Sequence, residues 1–405
     1  METELFGVAL GVEEPLYIDE IVFDSASSEL HIRMNFRAGG RFSCSTCGMA
    51  ELPVHDTRDK TWRHLNFFQY KCYIHLRTPR TQCPTCGEHL WAPPWSRKQS
   101  GFTLLFEAFV MALVKEMPMS SIATLVDEHD TRIWRIASGY VKRAREKEDF
   151  TSTTKVGCDE TSTRKGHNYV TVFADMDTGK VLFATEGRDS GTIKAFSKEL
   201  RKRKGRPKQV KEITMDMSPA YISGVAKFFP KAGVTFDKFH VIQALNRALD
   251  EIRRKEQAEN PLLKNTRYIW LKNPGNLTSK QQGRLEETLR FKNLRTAKVY
   301  QMKLTFQDIY RTIQNHELAA EAIKKWLSWA VRSRLEPVKH FAKFVKNHYV
   351  GIMRYFKTGL TAGMMESINS RILEIKRRAK GYRNINNFIT MIYIETAGLK
   401  WEAPT

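Results

Sequence analysis

No stretch of this 405-residue chain approaches the roughly 20 consecutive apolar residues that a membrane-spanning helix requires. The opening METELFGVALGVEE is acidic, without the basic start and cleavage pattern of a secretory signal. A soluble protein with no membrane partner, kept in the cytosol, is the expectation. Cysteine is scarce: there are six, too few in a reducing compartment to build a disulfide framework. Internal repeats and low-complexity tracts are missing, which argues against solenoids and unfolded linkers. Acidic residues are in short supply too, 44 against 66 lysines and arginines, for a net charge of +22. That excess implies a polyanionic partner, because basic side chains gain affinity by displacing counterions condensed on phosphates.

What is present falls into zones. Alternating apolar and polar residues from Tyr17 to Phe23 and from Glu29 to Phe36 predict a hairpin leading into a cysteine-bearing segment, and Pro93-Pro94 marks a break. Residues 1–95 are therefore read as a hairpin with a metal-binding module. Residues 102–147 have helical spacing, within a helix-turn-helix domain assigned to 96–150, and FTSTTK reads as a linker. From Val156 the pattern turns to strands: VGCDETST, HNYVTVFADMD, a turn at Asp177-Thr178-Gly179, and KVLFATEG. A helix over 191–204, the strand EITMD, a helix near 218–229 and the strand VTFD follow. Three strands, helix, strand, helix, strand is the element order of an RNase H-like core. Its first part is assigned to 151–245 and its final helix and tail to 356–405. The helical stretch between, 246–355, is expected to be an insertion with a core of its own. The fold class is thus multidomain α/β.

Cys44-Ser-Thr-Cys47-Gly and Cys83-Pro-Thr-Cys86-Gly repeat one form. Each presents two thiolates from one tight turn, so Cys44, Cys47, Cys83 and Cys86 are predicted to hold one structural zinc ion. His55, His64, His75 and Cys72 lie between the pairs and are the available substitutes for a ligand. Cys72 and Cys158 read as small buried side chains.

Met119 to Asp127 reads as a short helix, Glu128-His129-Asp130 as a turn with Asp130 as cap, and Thr131 to about Arg145 as a second helix. Ile133, Ala137, Tyr140 and Val141 make its inward stripe, while Arg132, Arg135, Gly139 and Lys142 line another face. A basic exposed face on the second of two helices suits docking in a DNA major groove. A solvated helix of a three-helix core has the same pattern.

In TKVGCDE, Asp159 alternates against Val156 and Cys158, and in EITMD Asp216 alternates against Ile213 and Met215. On neighbouring strands both carboxylates emerge on one side of the sheet and suit magnesium, which takes oxygen ligands. An ordinary polar face reads identically. Glu366 projects opposite a helical stripe of Ile368, Ile372, Ile375 and Ala379, as a solvated glutamate also would.

The blocks VGCDETSTRKGHNYVTVFADMDTGKVL, ITMDMSPAYISGVAKFFPKAGVTFDKFHV and LTAGMMESINSRILEIKRRAKGYRNINNFITMIY resemble the ISL-three family of insertion-sequence transposases. The cysteine pairs and the helices after them sit where that family has its zinc and helix-turn-helix modules, so the resemblance covers nearly the whole chain. It implies an RNase H-like core, a catalytic triad of Asp159, Asp216 and Glu366, and two magnesium ions, with manganese as a substitute. Relatives often read Thr-Asn-Gly before that glutamate, where this chain has Thr361-Ala362-Gly363. The resemblance further implies a bacterial cytoplasmic enzyme that cuts and joins double-stranded DNA at element ends and target. At least a homodimer is expected when two ends are held together. An RNase H-like structure-specific nuclease and a non-catalytic zinc and helix-turn-helix regulator are the alternatives.

Arg371, Lys376, Arg377, Arg378, Lys380 and Arg383 follow Glu366 closely and are further candidates for DNA contact, as is the run from Lys198 to Lys208. Asp237 and His240 end a strand beside the acids, in a supporting role or as a helix cap. Trp270, Trp326 and Trp329 are candidates either for stacking on an extruded base or for the core of the helical segment.

Overall fold

The computed structural model describes residues 2–163, 169–291, 293–361 and 363–401. They form two compact units that divide after Tyr140, with the chain end from Lys400 counted in the first. Among the described residues no helix is long and apolar enough to cross a membrane.

The first unit opens with a short helix that the alternation did not predict, α1 (Glu2–Ala9), whose Phe6 packs against the sheet that follows. That sheet contains β1 (Leu16–Asp24), β2 (Glu29–Phe36), β3 (Arg41–Phe42), β4 (Leu52–Arg63), β5 (Lys71–Cys83) and β6 (Gly87–Leu90). The strand order is β1-β2-β5-β4-β3, with β6 also paired to β5. The expected hairpin of β1 and β2 is present in antiparallel register. Along β5 the residues Cys72, Ile74 and Leu76 face inward against Leu30, Ile32 and Met34 of β2, a period of two that buries one face. Three helices follow: α2 (Leu104–Leu113), α3 (Met119–Val126) and α4 (Asp130–Glu146). Helix α3 stops because Asp127 takes a left-handed conformation, φ 50°.

The second unit is built on β7 (Lys155–Ser162), β8 (Tyr169–Asp175), β9 (Val181–Glu186), α5 (Ser190–Lys202), β10 (Glu212–Met215), α6 (Pro219–Phe228) and β11 (Gly233–Phe236). His167 and Asn168, at the start of the predicted second strand, lie outside the described residues. The sheet order is β11-β10-β7-β8-β9. Strands β7, β8 and β9 are antiparallel neighbours, whereas β10 runs parallel to both β7 and β11. Helix α5 covers one face, where Phe196 stacks on Phe173 at 4.4 Å between ring centroids.

The remaining elements are helices: α7 (Lys238–Glu259), α8 (Arg267–Leu271), α9 (Ser279–Leu289), α10 (Arg295–Thr312), α11 (His316–Arg332), α12 (Glu336–Asn347), α13 (Tyr349–Thr358), α14 (Gly363–Arg378) and α15 (Ile385–Thr396). The helical stretch does not have a core of its own. Val156, Phe173 and Met215 of the sheet share one continuous apolar cluster with Leu249, Phe306, Trp326 and Phe341. The reason is local: α7 starts directly after β11, runs unbroken past residue 246, and carries Val241 and Leu245 beneath the sheet. Trp270 and Trp326 are core residues, with indole N–H groups donating to Thr266 Oγ1 and to the Met302 carbonyl. Neither has a ring face free for stacking. Trp329 is partly buried against the same cluster. The tail folds back as α15, where the Tyr393 hydroxyl accepts from the Ala184 amide of β9 at 2.9 Å.

Candidate catalytic site and DNA interface

Strand β7 is central, and its first half is buried on both faces, which is why Val156, Gly157 and Cys158 are all enclosed. Cys158 lies on the side of α5, paired across the strands with Phe173. Gly157 and Asp159 point to the opposite side. The parallel register aligns Ile213 with Val156 and Thr214 with Gly157. The paired register ends there, and Asp216, two residues on, is near enough to Asp159 for its charge to act on that carboxyl.

Gly157 is what lets a helix lie over these acids. A Cβ built there would stand 2.5 Å from Met176 Sδ and 2.6 Å from Met365 Sδ, closer than real contacts allow. The bare glycine therefore admits Met365, and with it α14, onto the strand. One turn beyond Met365 on the same helix, Asn369 donates its carboxamide N–H to Asp159 Oδ2 at 2.6 Å. The carboxamide oxygen, Asn369 Oδ1, is buried with no hydrogen-bond partner among the described residues. Glu366 is three residues before Asn369, so the two are neighbours on the helix surface. Glu366 is exposed, and Ala362, just before this helix, lies outside the described residues.

Two further groups belong to this cluster. Asp237 accepts from the Phe239 amide at 2.9 Å and so caps α7. His240, one turn into α7, stands between the acids, with Nδ1 3.8 Å from Asp216 and Nε2 3.9 Å from Asp237. The cap and the supporting position thus coexist. Burial raises the Asp159 carboxyl above its ordinary range; the amide of Glu160, the charge of His240 and Asn369 act against that, and Asp216 adds to it. Burial also raises Asp237, and the negative charges of Asp159 and Glu366 push the same way. Glu160 feels Asp216 and Asp159 too, and its Oε2 lies 3.5 Å from the Tyr221 hydroxyl. Tyr221 is buried and bonded to Thr171, a structural position. Carboxylate oxygens with one imidazole near them are the donor types that a divalent cation takes. Asp159, Asp216 and Glu366 do not bring their carboxylate oxygens within the 4.8 Å of one another that the cysteine sulfurs reach.

Cys44, Cys47, Cys83 and Cys86 bring their sulfurs within 4.8 Å of one another. Gly48 (φ 76°) and Gly87 (φ 82°) follow the second cysteine of each pair in the left-handed conformation that closes the turn. The amides of the first turn hold the Cys44 thiol down to about 6, while the neighbouring sulfurs push Cys86 up to about 12. Four thiols that cannot all ionise beside one another fit a cation, and four sulfurs with no open position fit a structural zinc ion. The alternative ligands are engaged elsewhere. His64 bonds Thr103 and His75 bonds Thr61, His55 faces Asp56 and Glu88, and Cys72 is in the sheet core.

On α4 the predicted stripe of Ile133, Ala137, Tyr140 and Val141 is buried, and Arg135 and Lys142 are exposed. Two details differ from expectation. Asp130 is the first helical residue, and His129 before it receives the Thr131 amide on Nδ1 at 3.3 Å. Arg132 is only partly free, paired with Glu128 and lying over the Phe102 ring at 4.4 Å. Among the basic residues after Glu366, Arg371, Arg377, Lys380 and Arg383 are exposed. Lys376 donates to the Ser162 carbonyl at 2.7 Å and Arg378 pairs with Glu395, so these two also hold α14 in place. In the run 198–208, Arg203 is buried against Glu199, a structural pairing.

Sequence reasoning did not single out Gly157, Glu160 or Asn369. Only Asn369 left a usable signal, being three residues after Glu366 on a predicted helix.

Comparison with known proteins agrees with this anatomy. A family profile described as a transposase matches residues 156–392. The helix-turn-helix domain of transposase family ISL3 matches 92–141. The zinc finger of the transposases of IS204, IS1001, IS1096 and IS1165 matches 40–86. The transposase for insertion sequence element IS1557 of Mycobacterium tuberculosis is 27% identical over 433 residues, covering 97% of this chain and 95% of that protein. The transposase for IS1001 of Bordetella parapertussis is 26% identical, covering 86% and 87%. Because the transposase profile spans more than half of the sequence and the two accessory modules fall where the cysteine cluster and the helix pair stand, the chain belongs to the ISL3 family of transposases.

Proposed function

We propose that the second unit is an RNase H-like catalytic core in which Asp159, Asp216 and Glu366 form the acidic triad of a DNA-cutting and DNA-joining transposase. The observation that carries this reading is α14 lying across β7, with Asn369 bonded to Asp159 and Glu366 beside it on the helix. The sheet order, three antiparallel strands extended by two parallel ones, supports the fold assignment. Two divalent ions held by the three carboxylates, magnesium or manganese, would activate the attacking oxygen and offset charge on the leaving oxygen.

The chain's own groups do the rest. Asn369 fixes the rotamer of Asp159, and His240 offsets part of the negative charge between Asp216 and Asp237. In the first step a water oxygen forms a bond to the scissile phosphorus at an element end. The bond to the 3′ oxygen breaks, leaving a 3′ hydroxyl and a 5′ phosphate. In the second step that 3′ oxygen attacks a target phosphodiester and displaces the target's own 3′ oxygen, so bonds broken and formed balance. Arg135 and Lys142 of α4 would contact the terminal inverted repeats, and Arg371, Arg377, Lys380 and Arg383 the strand near the cut. Two ends must be held together, so the working form is at least a homodimer on DNA.

The test uses the full chain with supercoiled plasmid carrying the element's ends. Asp159→Asn and Glu366→Gln are expected to abolish cleavage while end binding is retained. Cleavage by either variant at the wild-type rate would remove that acid from the triad, and no cleavage by the wild type itself would return the protein to the non-catalytic regulator reading. Cleavage by the wild type without joined product would leave a nuclease.

A further inference from the structure

Beyond the acids the second unit has a groove of about 640 Å³ along one face of α7, closed on its far side by α8. Its near end is Phe239, whose ring is 55% exposed and sits edge-on to His240 at 5.6 Å. The groove therefore begins beside the residue that stands 3.8 Å from Asp216. Further along, positions one turn apart on α7 bring Asn246, Arg247, Asp250 and Arg254 to the same wall, and Arg267 faces them from α8.

The chemistry of this wall is specific in kind. Asp250 pairs with Arg253 at 2.8 Å, with Arg254 at 3.6 Å and with Arg267 at 3.5 Å, so one carboxylate organises three guanidinium groups and the lining keeps a net positive charge. Among the described residues Arg247 bonds only the neutral Gln243, at 2.9 Å. The buried Oδ1 of Asn246, a residue of the same wall, has no hydrogen-bond partner among the described residues. An exposed aromatic ring at one end, with fixed guanidinium groups beyond it, is how proteins hold unpaired nucleic acid, by base stacking and phosphate pairing. The volume is that of a small-ligand pocket, enough for a short unpaired stretch and too small to admit a duplex.

We infer that the α7 groove binds the separated DNA strand next to the cut, with Phe239 stacking on its first unpaired base and Arg247, Arg254 and Arg267 receiving its phosphates. The inference rests on the triad reading for the place of the cut. Its binding chemistry stands independently, and it gives the tryptophans' expected role to a different aromatic.

The experiment measures binding rather than cleavage, so an inert triad leaves it readable. The full chain carrying Asp159→Asn is titrated with a fluorescent DNA hairpin bearing a short single-stranded tail with 2-aminopurine at its first unpaired position, and with the same hairpin made blunt. Tails of both polarities are used. Phe239→Ala is expected to weaken binding of a tailed probe about tenfold and abolish 2-aminopurine quenching, with blunt binding unchanged. Phe239→Trp should restore both. Arg247→Ala should lower the salt slope for the tailed probe by roughly 0.7. Phe239 is exposed, so an unchanged thermal melt is expected for its variants. Equal loss on tailed and blunt probes, or no loss on either, would overturn the inference.

Discussion

Asn369 on α14 and Asp159 on β7 are joined by a 2.6 Å hydrogen bond that ties the helix bearing Glu366 to the strand bearing the first acid. The donor is an amide, so it orients the carboxylate without adding charge. Removing it as Asn369→Ala should raise the magnesium concentration needed for half-maximal cleavage by about 10–100-fold, as loss of ligand-orienting bonds does elsewhere. End binding should not change. A magnesium titration of cleavage that superimposes on the wild type would deny Asn369 any orienting role.

Gly157 offers a steric test of the same arrangement. Gly157→Ala places a methyl group against Met365 and Met176 and must displace α14 or distort the strand. A destabilisation of about 1–3 kcal/mol is expected, with cleavage reduced further than stability alone explains. Adding Met365→Ala should recover part of the activity, measured with denaturant melts and cleavage assays together. Recovery of neither quantity would mean that α14 is not held by this contact.

Zinc removal should act on the first unit. Cys44→Ser or Cys83→Ser is expected to lower bound zinc from one ion per chain and to make the segment 41–90 sensitive to protease. Because the ligands are thiolates, protonation competes with the metal, and zinc should be released as pH falls. Atomic absorption with limited proteolysis across a pH series checks this. A protease-resistant, zinc-free double variant would show that the sheet needs no metal.

Burial raises Glu148 to about 7, with Arg145 and Arg203 pulling it back down. Arg145 is shared with Glu199 and lies over the Tyr393 ring at 3.8 Å, so Glu148 is the less well served of its two acids. With the folded value above the ordinary one near 4.5, the folded state holds a proton that the unfolded chain has lost. Stability from this group is therefore present below about 4.5 and lost as pH rises through 7. Glu148→Gln should be neutral or stabilising at pH 8, and its stability should be flatter than the wild type between those limits. A large destabilisation at pH 8 would mean that the ion pair with Arg145 outweighs burial.

Much of this was legible before the structure. The cysteine pairs are local, and spacing alone specifies their chemistry. Strand alternation placed Asp159 and Asp216 on one side, since a period of two is visible in any window of a few residues. Only the family resemblance singles out Glu366, because a glutamate opposite an apolar stripe looks the same whether it is solvated or catalytic. Two features of the structure are not legible locally. The helical stretch shares its core with the sheet, and FITMIYI is the buried helix α15 and not a tail. Both depend on which distant surfaces a helix meets, and neither Val241 nor Tyr393 carries any local mark of the sheet it packs against.

The order in which the acids occur along the chain has a consequence for synthesis. Asp159 and Asp216 leave the ribosome early, on strands that can pair while the rest is still being made. Glu366 and Asn369 arrive only after all of α7 through α13, on a helix that Gly157 must be in place to receive. On the reading proposed above, the polypeptide can display α4 for docking on DNA long before it can cut. In the proposed mechanism, a stalled or truncated chain ending within α7–α13 occupies DNA harmlessly, and the capacity to break the host chromosome is granted last.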